Sequence, residues 1–325
     1  MRINSINYKV TTLESFQGRI DSDDPAESRW HQIIRVADLR NDPVLNECFV
    51  LLGFAVDEGV KRNHGRIGAS GGPASLRRIL ANLPAGTLAK GQLVDAGTIH
   101  CIEGNLEEAQ HLVAECVAYI LASGGFPIVL GGGHEITYGH YRGLRKISNG
   151  KIGVINFDAH LDIRSPKPNG TSGTGFFQIA MDEQQREGFY HYLAIGIQDS
   201  SNTPLLFQRA QTLNILCINR DKFHFKYEKS INETILNFLK EIEHLYITVD
   251  MDVFAAAFAP GVSAPAYNGI VPDTFFLEVF DSLINSDKLI SVDFAELNPL
   301  FDRDMCTARL AANLIFRIVQ QKRLR

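Results

Sequence analysis

The sequence predicts an α/β fold built on a mostly parallel sheet with helices over both faces. Two observations support it. Short apolar runs rich in Val, Ile, Leu and Phe alternate with longer segments of helical period, the rhythm of strand–helix repetition. Several of these runs lead straight into glycine, histidine and aspartate, as expected where parallel strands open onto a binding crevice. Taken in order, strands are expected at 48–56, 92–96, 126–130, 152–157, 192–197, 213–218, 244–249 and 289–293, an eight-stranded sheet. Helices are expected between them, at about 73–82, 105–122, 135–146, 201–210, 230–241, 272–285 and 303–320, with Asn105 and Asp273 as capping residues. Loops at 61–73, 163–175 and 253–271 hold most of the glycine and proline. Residues 1–45 read as a polar N-terminal arm. With no internal repeat or linker-like stretch, 1–325 is expected to be a single domain.

Hydrophobic residues at 45% and charged residues at 21% suit a soluble protein with a large core. A net charge of −5, without any run of Lys and Arg, argues against a nucleic-acid partner. An anionic substrate therefore needs a local cation. Cys48, Cys101, Cys116, Cys217 and Cys306 are odd in number and scattered, so reduced thiols in a cytoplasmic protein are expected. The N-terminus lacks the apolar stretch of a secretory signal, and no run is long enough to span a membrane.

Three polar clusters follow expected strands: Gly131-Gly132-Gly133-His134-Glu135, Asp158-Ala159-His160-Leu161-Asp162 and Asp250-Met251-Asp252. At equivalent ends of a parallel sheet they converge. In extended backbone Asp158, His160 and Asp162 would share one side while Ala159 and Leu161 face packing, and Asp250 and Asp252 would pair likewise. Alone, Asp-x-Asp also reads as a surface turn or helix cap and His134 as a loop histidine, whereas Asp-x-His-x-Asp after an apolar strand is more specific. Together they form an oxygen-rich set without thiolate, which suits Mn(II) better than structural zinc. Crowding four carboxylates is costly without cations, whereas two divalent ions neutralise them and lower the pKa of bound water. The glycine run lacks the Gly-Lys-Ser/Thr ending of a phosphate loop and the spacing of a dinucleotide fold. It is expected to let the backbone approach the metals closely.

These motifs, with Ser/Thr-Val-Asp-Met-Asp at 248–252 and Glu-Leu-Asn-Pro at 296–299, resemble the ureohydrolase family of arginases, agmatinases and formimidoylglutamases. The resemblance runs from about residue 50 to the C-terminus. It implies a three-layer α/β/α arginase-like fold and two Mn(2+) per subunit. His134, Asp158, Asp162 and Asp250 would bind one ion, and Asp158, His160, Asp250 and Asp252 the other. Asp162 would also orient the nucleophile, and Glu296 would accept hydrogen bonds from the cationic end of a small-molecule substrate. The family's habit of assembly implies a homo-oligomer.

The loop after Asp162 leaves the site directly and is expected to set specificity. Arginases carry a neutral Asn where Arg164 stands and a proton-shuttling His further along; here no His occurs between 161 and 190, and Phe176 lies near the expected place. Asp-x-Arg followed by Ser-Gly-Thr, with Gly-His-Tyr-Arg-Gly-Leu at 139–144 and Arg-Asn-x-Gly-Arg-Ile-Gly-Ala at 62–69, resembles formimidoylglutamase. Arg164 would clamp a carboxylate of formimidoylglutamate. Ser172, Gly173 and Thr174 would add hydroxyl and backbone donors, with Arg66 and Lys61 as lesser candidates. The expected reaction is hydrolysis to glutamate and formamide, a step in histidine breakdown. The alternatives are a ureohydrolase releasing urea from arginine or a guanidino acid, and a non-catalytic metal-binding relative.

Overall fold

Strand–helix alternation does build one twisted sheet. The computed structural model describes Ile3 and residues 6–324. Among these residues the strands are β1 Tyr8–Lys9, β2 Arg35–Val36, β3 Phe49–Ala55, β4 Leu93–His100, β5 Phe126–Leu130, β6 Ile152–Phe157, β7 His191–Ile197, β8 Leu216–Asn219, β9 His244–Asp250 and β10 Leu289–Ala295. The helices are α1 Trp30–Ile33, α2 Glu58–Arg62, α3 Gly72–Leu80, α4 Leu106–Ala122, α5 Ile136–Ile147, α6 Gly175–Gln185, α7 Pro204–Thr212, α8 Glu228–Glu241, α9 Thr274–Ile284 and α10 Cys306–Gln321. The sheet order is β1-β4-β3-β5-β10-β9-β6-β7-β8, with β2 also on β4. All pairings from β4 to β8 are parallel.

Alternate strand residues feed two cores, which is what makes three layers. Ile128 and Leu130 of β5, Ile155 and Phe157 of β6, and Ile247 and Val249 of β9 pack with α3, α8, α9 and α10. Val129, Val154 and Tyr246 face the opposite way, toward α4, α5, α6 and α7. Both faces of the central strands are thus buried, which explains their continuous apolar runs.

The eight expected strands are present, and residues expected as a polar arm add the other two. Tyr8 pairs antiparallel with Ile99, and Arg35 pairs parallel with Val94. The Tyr8 hydroxyl donates to the Ala96 carbonyl at 2.8 Å, and Trp30 is wholly buried. This segment covers the otherwise open edge of β4. Its apolar residues are too sparse to show a strand or helix period. Beyond that segment the short α2 and the longer α6 are also unforeseen. Phe176, Ile179, Ala180 and Glu183 bury one face at helical spacing, but the acid in that face interrupts the apolar pattern. Inside the fold Glu183 is paired with Arg145 at 2.9 Å.

A buried ion pair ties α3 to β4. Arg77 Nε lies 2.7 Å from Asp95 Oδ2, and its other nitrogens donate to Thr98 Oγ1 and the Gly97 carbonyl at 2.7 and 2.8 Å. Removing one partner strands the other as an unpaired buried charge. Asp95→Ala is expected to lose about 3–5 kcal/mol of unfolding free energy, measured by chemical denaturation; a loss under about 1 kcal/mol would mean the pair behaves like a surface bridge.

Candidate metal centre

The four central strands, β5, β10, β9 and β6, all end at one crevice. β5 and β6 are separated in the sheet by β10 and β9, which is the arrangement that opens a cleft beyond the strand ends. β5 leads into His134, β10 into Glu296, β9 ends at Asp250 and β6 leads into Asp158. The strand ends therefore bring together residues far apart in sequence.

His134 is the centre of the cluster. Its Nδ1 lies 3.1 Å from Asp158 Oδ2, 3.1 Å from Asp162 Oδ2 and 3.2 Å from Asp250 Oδ2. His160 Nδ1 lies 3.1 Å from Asp252 Oδ2 and 3.4 Å from Asp158 Oδ1. Two groups have ligand atoms close enough to share an ion: His134 with Asp158, Asp162 and Asp250, and Asp158 with His160 and Asp252. Asp158 belongs to both, whereas Asp250, expected to bridge as well, joins only the first. One oxygen of Asp250 instead accepts from the Asp252 backbone N–H at 2.8 Å. Asp252 Oδ1 is buried without a hydrogen-bond partner, an acceptor open to a cation.

Convergence does not come from extended alternation. The chain bends immediately after β6: Asp158 Oδ1 accepts from the His160 N–H at 2.6 Å, and Asp162 has φ +47°. After β9 a single 3-10 turn, Met251–Val253, swings Asp252 round beside Asp250. Ala159, Leu161 and Met251 are buried as packing residues, as expected. Glu296 is also left-handed, with φ +66°. Non-glycine residues in that region carry strain that the surroundings must hold, and both are in this site.

The glycine run serves a different contact from the one expected. A Cβ on Gly132 would lie 1.8 Å from the Val56 carbonyl oxygen, and one on Gly131 would lie 2.5 Å from that of Phe294. Glycine is needed here so that the end of β5 can pass against β3 and β10. Phe176, where a shuttle histidine was absent, is a buried wall: its ring meets His134 edge-on at 5.6 Å and stacks on Tyr192 at 4.2 Å.

The electrostatics of the bare cluster are those of a cation site. Burial alone would push His134 down, but hydrogen bonds to Asp158, Asp162 and Asp250 lift it well above the usual imidazole range. His160 is lifted likewise, chiefly by Asp252. Burial, and then repulsion from Asp252 and Asp158, raises Asp250; burial and the other carboxylates raise Asp252 despite His160. Asp158 is held low, because hydrogen bonds from both histidines overcome its burial. Glu296 is raised by burial and by Glu135, itself pushed up to about 8 by burial.

Above this floor lies a cavity of about 540 Å³, lined by Asn63, His64, Arg66, Arg164, Ser172, Ser263 and Glu296 as well as the exposed edges of the cluster. Glu296 Oε1 accepts from the His134 N–H at 2.9 Å, while Oε2 is buried and unpartnered. Arg164 is exposed and touches Asn63 Oδ1 at 3.3 Å; among the described residues it has no carboxylate partner. Asn63 also donates to Ser172 Oγ at 3.1 Å. Thr174, expected among the substrate residues, is turned away, its hydroxyl donating to the side-chain Oε1 of Gln178 on α6 at 2.8 Å. Gly173 lies beneath Arg164, accepting its backbone N–H at 2.9 Å, and is not on the cavity wall. Lys61 pairs with Glu58 at 3.2 Å, outside the cavity. Arg66 does line it, but its guanidinium donates to the Val262 and Ser263 carbonyls at 2.7 and 3.0 Å. Asn63, His64 and Ser263 had no expected role. Only the Arg-Asn-x-Gly-Arg motif could have pointed to the first two, and nothing in the sequence to Ser263.

A parallel sheet with a buried carboxylate–imidazole cluster across its central strand ends defines an α/β metalloprotein with room for two ions. Residues 47–320 match the arginase family. The chain belongs to that family. It is 42% identical over 312 residues to the formimidoylglutamase of Ralstonia nicotianae, covering 94% of each chain. It is 40% identical to that of Clostridium tetani over 325 residues, 97% of this chain and 96% of the relative. Among solved structures it resembles Trypanosoma cruzi formiminoglutamase with Mn(2+), with a TM-score of 0.75 and 27% identity over 86% of this chain and 94% of that one.

Metal uptake requires unprotonated ligands, so protons compete with the ion for His134, His160, Asp250 and Asp252. Because these groups are raised, their protons compete more strongly as pH falls. Manganese affinity is expected to weaken on acidification, and binding at pH 7 to release protons, measured by calorimetry in buffers of different ionisation enthalpy. Affinity independent of pH would contradict this ligand set.

Proposed function

We propose that this chain hydrolyses N-formimidoyl-L-glutamate to L-glutamate and formamide, with two manganese ions held by His134, Asp158, His160, Asp162, Asp250 and Asp252. The observation that carries the choice of substrate is Arg164, a guanidinium without a carboxylate partner on the wall of a cavity floored by the metal cluster. Ionised guanidinium and carboxylate form strong, directional pairs, and the substrate offers two carboxylates. Relatives named formimidoylglutamase, similar over nearly the whole chain, support the same reading.

When bound, the two ions supply Lewis acidity and an activated water. The chain does the rest. Arg164, braced by Asn63 and the Gly173 carbonyl, fixes one substrate carboxylate, and Ser172 stands beside it as a hydroxyl donor. The free Oε2 of Glu296 accepts from the cationic nitrogens, pointing the formimidoyl carbon at the floor. Water adds to that carbon, its bond to the glutamate nitrogen breaks, and Asp162 carries the water's proton to the departing amine. Glutamate and formamide result.

A cytoplasmic setting is supported by the cysteines, which are all free, and by helices none of which, among the described residues, is long and apolar enough to cross a membrane. Assembly as a homo-oligomer and a place in histidine breakdown belong to the same proposal.

Manganese-loaded protein given formimidoylglutamate, arginine, agmatine and guanidinobutyrate is expected to release glutamate from the first and little urea from the others. Urea from a guanidine as the preferred product would overturn the substrate. Arg164→Met is expected to raise KM for formimidoylglutamate by roughly 10- to 100-fold, the worth of a charged hydrogen bond, with a smaller change in kcat. An unchanged KM would remove Arg164 from recognition.

A further inference from the structure

Behind the metal centre, on the side away from the cavity, lies a second buried polar cluster that the reaction does not touch. His134 Nε2 lies 3.0 Å from Thr248 Oγ1. The Thr248 hydroxyl donates to Asp293 Oδ1 at 2.5 Å. The other oxygen of Asp293 accepts from the Tyr246 hydroxyl and lies 2.6 Å from His140 Nδ1. His140 Nε2 in turn lies 2.6 Å from Ser291 Oγ, whose hydroxyl donates to the Pro127 carbonyl at 3.0 Å. His140, Tyr246, Thr248, Ser291 and Asp293 are all fully buried.

Counting donors and acceptors orients the end of this chain nearest the metal centre. An ionised carboxylate only accepts, so the Thr248 proton is committed to Asp293. Thr248 Oγ1 can then only accept from His134, which places the His134 proton on Nε2. Nδ1, the atom facing Asp158, Asp162 and Asp250, is then the nitrogen that can give up its proton and offer a lone pair to an ion. At the far end His140 Nδ1 faces Asp293, and its Nε2 meets Ser291, which also reaches the Pro127 carbonyl.

We propose that Asp293 is a positioning residue for the metal centre: acting through Thr248, it holds His134 in the tautomer that offers Nδ1 to an ion, and it is itself held in place by Tyr246 and His140. The proposal rests on His134 being a metal ligand. It also gives a role to the histidine of the 139–144 motif, which lies outside the catalytic cavity. Partners that orient a metal-bound histidine commonly change metal affinity by 10- to 100-fold.

The test replaces Asp293 by Asn. The amide would keep its oxygen toward the two donors at the Oδ2 position and turn its NH2 to Thr248. The Thr248 proton then points at His134 Nε2, and the ring proton moves to Nδ1, where it blocks an ion. Manganese is titrated into metal-free protein, counting ions bound per chain, with circular dichroism to follow the fold. Asp293→Asn is expected to keep the fold and weaken one of the two binding steps by about 10- to 100-fold. If that variant does not fold, Thr248 carries the test: Thr248→Val, of similar shape without the hydroxyl, should lose the same step, and Thr248→Ser should restore it. Wild-type protein that binds two ions, with Asp293→Asn or Thr248→Val matching it, overturns the relay. Wild-type protein that binds no manganese removes the ligand assignment itself, and the relay with it.

Discussion

Three carboxylate oxygens stand within 3.2 Å of one imidazole nitrogen, His134 Nδ1, in the buried floor of the cavity. That concentration of lone pairs is unfavourable unless a positive charge sits among them. The two histidines contribute part of it, since the crowding holds His134 and His160 above the usual imidazole range, while Asp250 and Asp252 are raised above that of carboxylates. Divalent ions supply it better, since each neutralises two carboxylates at once. The crowding makes the site a trap for metal, and the surrounding fold keeps the crowd in place.

The fold meets this cost through rigidity. The cluster is anchored on the four central strands of a sheet buried on both faces, where strand ends have the least freedom to relax. Glycine at 132 lets β5 end close enough to β3 for His134 to reach its partners. Left-handed backbone at Asp162 and Glu296 turns each carboxylate into the crevice at a point where the chain would otherwise run on. In the proposed reading the other part of the task, choosing a substrate, falls to loops braced against one another. Asn63 links Arg164 to Ser172, and Asn298 donates to the Arg66 and Ile67 carbonyls at 3.0 and 3.1 Å. Chemistry is placed on strands and recognition on loops, a division common where one scaffold serves several substrates.

The sequence showed the sheet and the floor of the site well, because both depend on local signals. Continuous apolar runs mark buried strands, and a cluster of Asp and His after such a run has no core to satisfy. It showed less of what depends on tertiary context. The 1–45 segment read as polar because its buried residues, such as Tyr8 and Trp30, are isolated and gain their partners only from β4 and α10. Helix α6 was hidden by Glu183, whose burial makes sense only with Arg145 beside it. Thr174 and Gly173 stood in the right loop, but a hydroxyl can bond to its own turn as readily as meet a ligand, and sequence does not say which. The alternation that grouped Asp158, His160 and Asp162 reached the correct residues through a bent chain, not an extended one.

The central claim is that this crowd of carboxylates and imidazoles holds two ions. X-ray diffraction from manganese-soaked crystals, recorded on either side of the manganese absorption edge, tests it most directly. Two anomalous peaks are expected, one among His134, Asp158, Asp162 and Asp250 and one among Asp158, His160 and Asp252. A single peak, or peaks away from these side chains, would contradict it.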